Sequence, residues 1–167
     1  FIETADCDVI SFDYYPFELD HDTRLFENDL WRDLGYVRKN AKIAGRPFWF
    51  YYQGRGDFYA NDDFGAKGMT YEKMAVQAYA ALTYGVKQLS CYTSTSLVTT
   101  MTDKRGPMFD DVKRLNHKLM NLGSFLLDKQ SDIITHTGLT EEHRRIYYLN
   151  KPEEIAFVKN MPSRLIA

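Results

Sequence analysis

The sequence predicts an α/β fold in which parallel strands alternate with helices. One observation is the run PFWFYYQG at residues 47–54, which consists of large strand-favouring residues without polar alternation. Such a run is typical of a central parallel strand covered on both faces. The second observation is that helical patterns precede and follow this run, so that strand and helix alternate three times. Alternation of this kind favours a parallel sheet with its helices outside.

The first predicted unit contains a short buried strand over residues 8–12 and a helix from about Thr23. Pro16 stops the strand because proline has no N–H to donate to a ladder. The helix is predicted from apolar residues at spacings of four, four, three and four. Gly45 is the expected residue after its end, and Pro47 forbids its continuation. The apolar face comprises Phe26, Leu30, Leu34, Val37 and Ala41.

Two further units follow the central strand and a long polar loop. Thr70 can cap the second helix, and Gly85 is expected to end it. Residues 86–92 are the third predicted strand, and the third helix is expected to end near Gly123. The apolar faces of the two helices comprise Tyr71, Met74, Ala78 and Leu82, and Val112, Leu115, Leu119 and Leu122.

The character of the sequence changes after the third helix. Short strands are predicted over residues 131–137, 144–149 and 153–159, which favours the start of a β-rich accessory domain. We therefore expect residues 1–127 to be the C-terminal part of a TIM-barrel, catalytic-type domain and residues 128–167 to begin an accessory domain. Because a closed barrel needs eight βα units, we expect this chain to be part of a longer polypeptide.

Composition argues against several classes of function. The formal net charge of -2 provides no basic field for nucleic acid. No apolar run reaches the roughly 18 residues that span a bilayer, so no membrane partner is expected. The two cysteines form no disulfide framework, and the four histidines match no metal-ligand spacing. Gly54-Arg55-Gly56 lacks the third glycine of a dinucleotide motif. We expect no metal and no cofactor.

Polar side chains follow each predicted strand, and in a parallel barrel such strand ends converge. Carboxylate, phenol, amide and hydroxyl groups among aromatic rings suit a sugar, which offers hydroxyls to bond and ring faces to stack on. The alternative is that these groups cap the sheet and bond loop backbone. The candidate binding residues are Tyr14, Tyr15, Trp49, Asp57, Tyr92 and Thr93, and the candidate catalytic residues are Asp13 and Gln53.

Glycoside hydrolysis normally needs two carboxylates at a defined separation. The sequence offers Asp13, Glu18 and Asp57 near the strand ends, but none is placed as well as Gln53. An amide can neither titrate near neutral pH nor act as a nucleophilic carboxylate. A complete pair of catalytic carboxylates is therefore not evident in this chain.

Three stretches of the chain resemble one enzyme family. Residues 8–16, 45–53 and 80–92 look like the sixth, seventh and eighth strands of beta-galactosidase-like glycoside hydrolases with TIM barrels. Residues 112–123 are similar to the segment that leads from such barrels into a β-sandwich. The resemblance covers about residues 6–138. It implies a glycosidase acting on a β-linked sugar, in the periplasm or secreted.

The resemblance also implies roles for individual residues. Gln53 matches the position of the nucleophilic Glu, and the acid/base Glu would lie on a strand before this chain. Tyr15, with Tyr14 as the near alternative, matches the tyrosine that bonds the nucleophile, and Tyr92 matches the aromatic floor of the sugar site. Gln in place of Glu is a departure. Either another carboxylate such as Asp13 is used, or sugar is bound without cleavage, or a Glu was exchanged to trap a complex.

Three functional hypotheses follow from the sequence. The first is a glycoside hydrolase whose carbohydrate substrate binds where the three strands end. The alternative is a catalytically inactive carbohydrate-binding barrel, in which the same residues hold sugar and none reacts. The third is a small independent α/β protein, in which the strand ends are covered by ordinary loop packing.

Overall fold

The computed structural model describes residues 6–17, 29–56, 68–93, 96–98, 104–131, 134–136 and 155–157. Over these residues the chain is a mixed α/β protein with three helices and a three-stranded parallel sheet. In chain order the elements are β1 (Ile10–Tyr14), α1 (Asp29–Ala44), β2 (Phe48–Gln53), α2 (Tyr71–Thr83), β3 (Gln88–Tyr92), α3 (Phe109–Leu126), β4 (Ile134–His136) and β5 (Ile155–Phe157).

The main sheet confirms the predicted parallel arrangement. Its strand order is β1-β2-β3, with β2 in the centre. The register places Asp13 beside Tyr51 and Tyr51 beside Ser90, while Gln53 lies beside Tyr92. Because the strands follow one another in chain order, right-handed crossovers put α1 and α2 on the same side of the sheet.

One face of the sheet packs against these helices, and we call it the covered face. On β2 it is formed by Phe48, Phe50 and Tyr52, which are at most 5% exposed. Their side chains belong to one core with apolar residues of α1 and α2, as the spacing of those helices predicted. The helix residues buried in that core include Leu30, Leu34, Ala41, Met74 and Ala78.

The alternate residues of each strand form the opposite face, which we call the open face. It carries Ser11 and Asp13 of β1, both exposed, and Tyr51 of β2, which is 36% exposed. On this face of β2, Trp49 is half-buried and Gln53 is fully buried, so Tyr51 is the one exposed residue of the strand. Trp49 and Tyr51 are as strand-favouring as fully buried aromatics, so the sequence does not show which face of β2 the helices cover.

The ends of the first two helices follow the predicted residues. Thr70 caps α2, since its Oγ1 accepts a hydrogen bond from the Lys73 N–H at 3.3 Å. Gly45 after α1 and Gly85 after α2 have φ angles of 62° and 89°, in the left-handed region that favours glycine. No helix in the described residues is long and apolar enough to cross a membrane.

The third helix runs further than predicted, because α3 continues through Gly123 to Leu126. A glycine inside a helix costs only about 1 kcal/mol relative to alanine, which packing elsewhere can offset. At the observed end, Lys87 Nζ donates hydrogen bonds to the carbonyls of Leu126 and Leu127 at 3.1 and 3.0 Å. A cation bonded to the last carbonyls satisfies groups that the helix itself leaves without partners.

The segment after α3 is attached to the main core. Ile134 is only 1% exposed and packs in the core of the sheet and helices. Arg38 on α1 donates a hydrogen bond to the Ser131 carbonyl, and Ser131 Oγ donates one to the Thr83 carbonyl at 2.6 Å. These bonds connect the chain after α3 to the middle of α1 and to the end of α2.

The strands β4 and β5 pair with each other in parallel and form a separate two-stranded sheet. They fall within the strands predicted over residues 131–137 and 153–159. The strand predicted over residues 144–149 lies outside the described residues.

Candidate functional site

Three of the predicted site residues meet at the carboxyl end of the sheet. Tyr15 follows β1, while Gln53 and Tyr92 end β2 and β3 side by side. Two strand spacings, about 9–10 Å, separate the backbones of β1 and β3. The rings of Tyr15 and Tyr92 nevertheless stack with centroids 5.1 Å apart and an interplanar angle of 29°. Both side chains therefore lean across the end of β2. We call Tyr15, Gln53 and Tyr92 the mouth of the sheet.

The side chain of Gln53 is fully buried at this mouth, with 0% of its surface exposed. Its Oε1 accepts a hydrogen bond from the Phe17 N–H at 2.9 Å. Because a backbone N–H can only donate, the amide oxygen must face Phe17 and Nε2 must face the other way. Nε2 has no hydrogen-bond partner among the described residues. Leaving a buried donor unsatisfied costs about 1–3 kcal/mol, so a hydrogen-bond acceptor placed next to Nε2 would stabilise this site.

The backbone of Gln53 is held by Gln77, a fully buried residue of α2. Gln77 Oε1 accepts from the Gln53 N–H at 2.9 Å, and Gln77 Nε2 donates to the Gln53 carbonyl at 3.2 Å and to the Lys73 carbonyl at 2.9 Å. Pairing of β1 with β2 stops at Tyr14, and Pro16 follows soon after. The carboxamide of Gln77 thus supplies the hydrogen bonds to the Gln53 backbone that β1 does not make beyond Tyr14.

Gln77 was not among the predicted site residues, although its position in the sequence is informative. Gln77 lies three residues after Met74 and directly before Ala78, so it falls on the predicted apolar stripe of α2. A polar amide at a buried helical position has to find partners, because burying it without them costs free energy. A buried glutamine facing the end of a strand could have been proposed as a positioning residue for that reason.

The ends of β2 and β3 are tied together by backbone contacts. The Gly54 N–H donates to the Tyr92 carbonyl at 2.6 Å, and a Cβ at Gly54 would clash with Cys91 Sγ. Ser96 is fully buried, and its Oγ lies 2.9 Å from both the Gly54 and the Thr93 carbonyl oxygens, which share its proton. The peptide bond between Tyr92 and Thr93 is cis.

Ser96 is the second residue of the site that sequence reasoning missed. It belongs to a run of serines and threonines, and nothing in that run distinguishes the buried hydroxyl from its neighbours. Thr93, which was predicted to bind substrate, contributes its backbone carbonyl to this arrangement.

The other predicted residues lie farther from the mouth. Asp13 is exposed on the open face, two residues or about 7 Å of strand before Tyr15. Trp49 lies on the same face but four residues, or about 13 Å, before Gln53. Tyr14 packs against the core on the covered face, because successive strand residues point to opposite sides. The predicted binding residue Asp57 lies outside the described residues.

Burial changes the ionisation of two groups on the covered face beneath the mouth. It raises the pKa of the Cys91 thiol to about 11, and it also raises the pKa of the Tyr52 phenol. Both groups therefore stay neutral at physiological pH. Of the three strands, which are described in full, only β1 carries a carboxylate, that of Asp13. Among the described residues no group of His, Cys, Asp and Glu side chains could hold a metal ion.

The mouth can therefore bind and orient a polar ligand through an amide, two phenols and aromatic faces. Its described residues do not by themselves provide two carboxylates. Comparisons of the chain with protein-family models, with curated proteins and with solved structures found no match. The function is accordingly inferred from the residues of the mouth.

Proposed function

We propose that this chain supplies the last three βα units of a (β/α)8 barrel that acts as a glycoside hydrolase on a β-linked sugar. The observation that carries this proposal is the convergence of Tyr15, Gln53 and Tyr92 at the carboxyl end of a parallel sheet. The carboxyl ends of barrel strands are where such folds bind their ligands. The strand order, which follows the chain, and the helices on a single face are compatible with one sector of a barrel.

The chemistry of the mouth favours a carbohydrate. The Tyr15 and Tyr92 rings, with centroids 5.1 Å apart, offer apolar surface to the C–H face of a sugar ring. Gln53 and the phenol hydroxyls offer hydrogen bonds to sugar hydroxyls. Tyr92 is 38% exposed, so a ligand can reach its ring from solvent.

The open face supports the barrel part of the proposal. Asp13, Tyr51 and Ser90 lie at one level across the three strands, and Ser11, Trp49 and Gln88 lie at another. In a closed (β/α)8 barrel the helices form the outer ring, so the face of the sheet opposite the helices points into the barrel. Parallel sheets are normally covered on both faces. The partner that covers this face would be the remaining strands of the same polypeptide.

In the hydrolase, one carboxylate would come from outside this chain and Asp13 would be the carboxylate contributed from β1. Gln53 would position the sugar, since an amide cannot form a glycosyl ester as a carboxylate nucleophile does. The same glutamine favours a second candidate function, a catalytically inactive carbohydrate-binding barrel. In that protein the mouth holds sugar, and Asp13 takes no part in bond cleavage.

An assay of the complete reading frame on aryl β-glycosides tests these two functions. For the hydrolase, Asp13→Asn should lower turnover about 100-fold or more, the range for loss of an acid or base group. Asp110→Asn is the matched control, because Asp110 is an exposed aspartate in the first turn of α3. Sugar binding without hydrolysis would favour the inactive barrel. Absence of both hydrolysis and binding would refute the proposed function.

A further inference from the structure

We propose that Gln53 recognises its ligand as a hydrogen-bond donor, through Nε2, and that the group it binds is an acceptor oxygen of a neutral sugar. This inference rests on the proposed sugar site and specifies its chemistry. It differs from a role as nucleophile, in which the same position would present an acceptor and a negative charge.

A backbone contact sets the orientation of the Gln53 amide. The Phe17 N–H donates a hydrogen bond to the oxygen of the Gln53 carboxamide at 2.9 Å. The nitrogen therefore faces the other way, and it is buried without a partner among the described residues. A buried amide nitrogen presents hydrogen atoms and no lone pair for accepting, so only an acceptor can complete it.

The donor is held in place before a ligand arrives. Both backbone groups of Gln53 are bonded to the carboxamide of Gln77, at 2.9 and 3.2 Å. Gln77 is itself fully buried and anchored to the Lys73 carbonyl on its own helix. With its backbone held by Gln77 and its Oε1 bonded to the Phe17 N–H, the Gln53 side chain loses little conformational entropy when it binds, which favours selective recognition.

Two tyrosine rings lie at the end of β2, where the buried donor is located. The Tyr15 and Tyr92 rings stack on each other across the end of β2, where Gln53 is fully buried. A sugar that stacks on Tyr92 from that side has to displace the ring of Tyr15. In the proposed complex this movement would also open the end of β2 to the ligand. Stacking on the tyrosine and donation from Nε2 are thus linked in a single binding event.

The test compares sugar binding by the wild type, Gln53→Glu and Gln88→Glu, each within the complete reading frame. Lactose and methyl β-galactoside serve as probes, and calorimetry measures the dissociation constant. Gln88 is the matched control because it lies on the open face at the other end of β3 and is exposed. Its substitution introduces the same charge away from the mouth.

At about pH 8 we expect Gln53→Glu to bind the sugar about tenfold more weakly, because an ionised carboxylate cannot donate a hydrogen bond. Full burial raises the pKa of a carboxyl by more than one backbone N–H bond, here from Phe17, lowers it, so lowering the pH to about 5 should protonate part of it, restore a donor and recover affinity. The titratable side chains on the elements around Gln53 include Asp13, Tyr15, Lys73 and Tyr92. Wild type and Gln88→Glu retain all four, and we expect neither to show this pH dependence.

Equal affinity of Gln53→Glu and wild type at both pH values would overturn the inference. So would a gain of aryl-glycoside hydrolysis in Gln53→Glu, which would assign the position to a nucleophile. If Gln53→Glu does not fold, the side-chain amide resonances of Gln53 in the wild type decide the question. We expect them to shift when lactose is added, and a bound sugar that leaves them unmoved would contradict donation. A wild type that binds no sugar would instead refute the proposed function.

Discussion

The two faces of the sheet are built from alternate residues of the same strands, yet their environments differ. On β2, Phe50 and Tyr52 are 0% and 1% exposed, whereas Tyr51 between them is 36% exposed. The covered face finds its partners in α1 and α2, which the chain supplies next to each strand. The open face has no such partner among the described residues. The difference shows that the helices supplied next to each strand determine the packing of only one face of the sheet.

The open face is not uniform along its length. Gln53 belongs to it by strand alternation, but it is fully buried, unlike Tyr51 two residues earlier. Its amide is bonded to the Phe17 N–H, and the Tyr15 and Tyr92 rings stack across the end of β2. The open face therefore changes from exposed surface to an enclosed polar site at the mouth.

The largest expected effect distinguishes the two faces directly. Phe50→Ala should lower the free energy of unfolding by about 3–5 kcal/mol, because it leaves a cavity in the core. Tyr51→Ala should lower it by less than about 1 kcal/mol, because the side chain is partly in water. Urea unfolding of the two variants of this chain measures both. Equal losses would mean that Tyr51 is packed as tightly as Phe50.

Gln77→Met is the next strongest test, because it acts where the covered face meets the mouth. The substitution leaves the buried N–H and carbonyl of Gln53 without partners, and we expect a loss of about 2–4 kcal/mol. Gln88→Met provides the control, since Gln88 is an exposed glutamine of the open face. If the two variants unfold at the same urea concentration, Gln77 does not stabilise the end of β2.

Much of the fold could be predicted from the sequence because its elements are locally determined. The apolar spacing of α1 identified Leu30, Leu34 and Ala41, and glycine identified the ends of the first two helices. The end of α3 could not be predicted, because Gly123 is tolerated inside the helix. The carbonyls at its true end are instead bonded to Lys87, which is about 40 residues distant in the chain.

The site could be predicted only in part. The ends of parallel strands lie at the same edge of a sheet. For that reason the sequence predicted correctly that Tyr15, Gln53 and Tyr92 lie close together. The sequence did not predict which face of the sheet the Tyr14 side chain lies on. It lies on the covered face, together with Ile10 and Phe12, because alternate residues of β1 point to the same side. Gln77 acts through a long-range contact with the backbone of Gln53, and no local pattern encodes such a contact.

A smaller effect is expected where β2 and β3 approach each other closely. Gly54→Ala places a methyl group against Cys91 Sγ on the covered face, and overpacking of this kind costs about 1–3 kcal/mol. Gly123→Ala is the matched control: its Cβ would meet nothing within 4 Å, and in a helix it should stabilise by about 0.5–1 kcal/mol. Adding Cys91→Ala to Gly54→Ala should restore part of the loss. Failure of that rescue would show that the cost arises elsewhere.

The smallest effect is a pH dependence that arises on the covered face. Burial raises the pKa of the Cys91 thiol from 9.0 to about 11, so the unfolded chain loses this proton first as the pH rises. The contribution of the buried neutral thiol to folding stability is therefore complete below about pH 9 and declines toward about pH 11. Burial raises the pKa of the Tyr52 phenol as well, which adds a decline of the same sign. Between about pH 8 and pH 10, wild type should lose about 1 kcal/mol more than Cys91→Ala. Identical pH profiles of stability for the two proteins would mean that the Cys91 thiol is in contact with water in the folded chain. The helices would then not cover the sheet at β3.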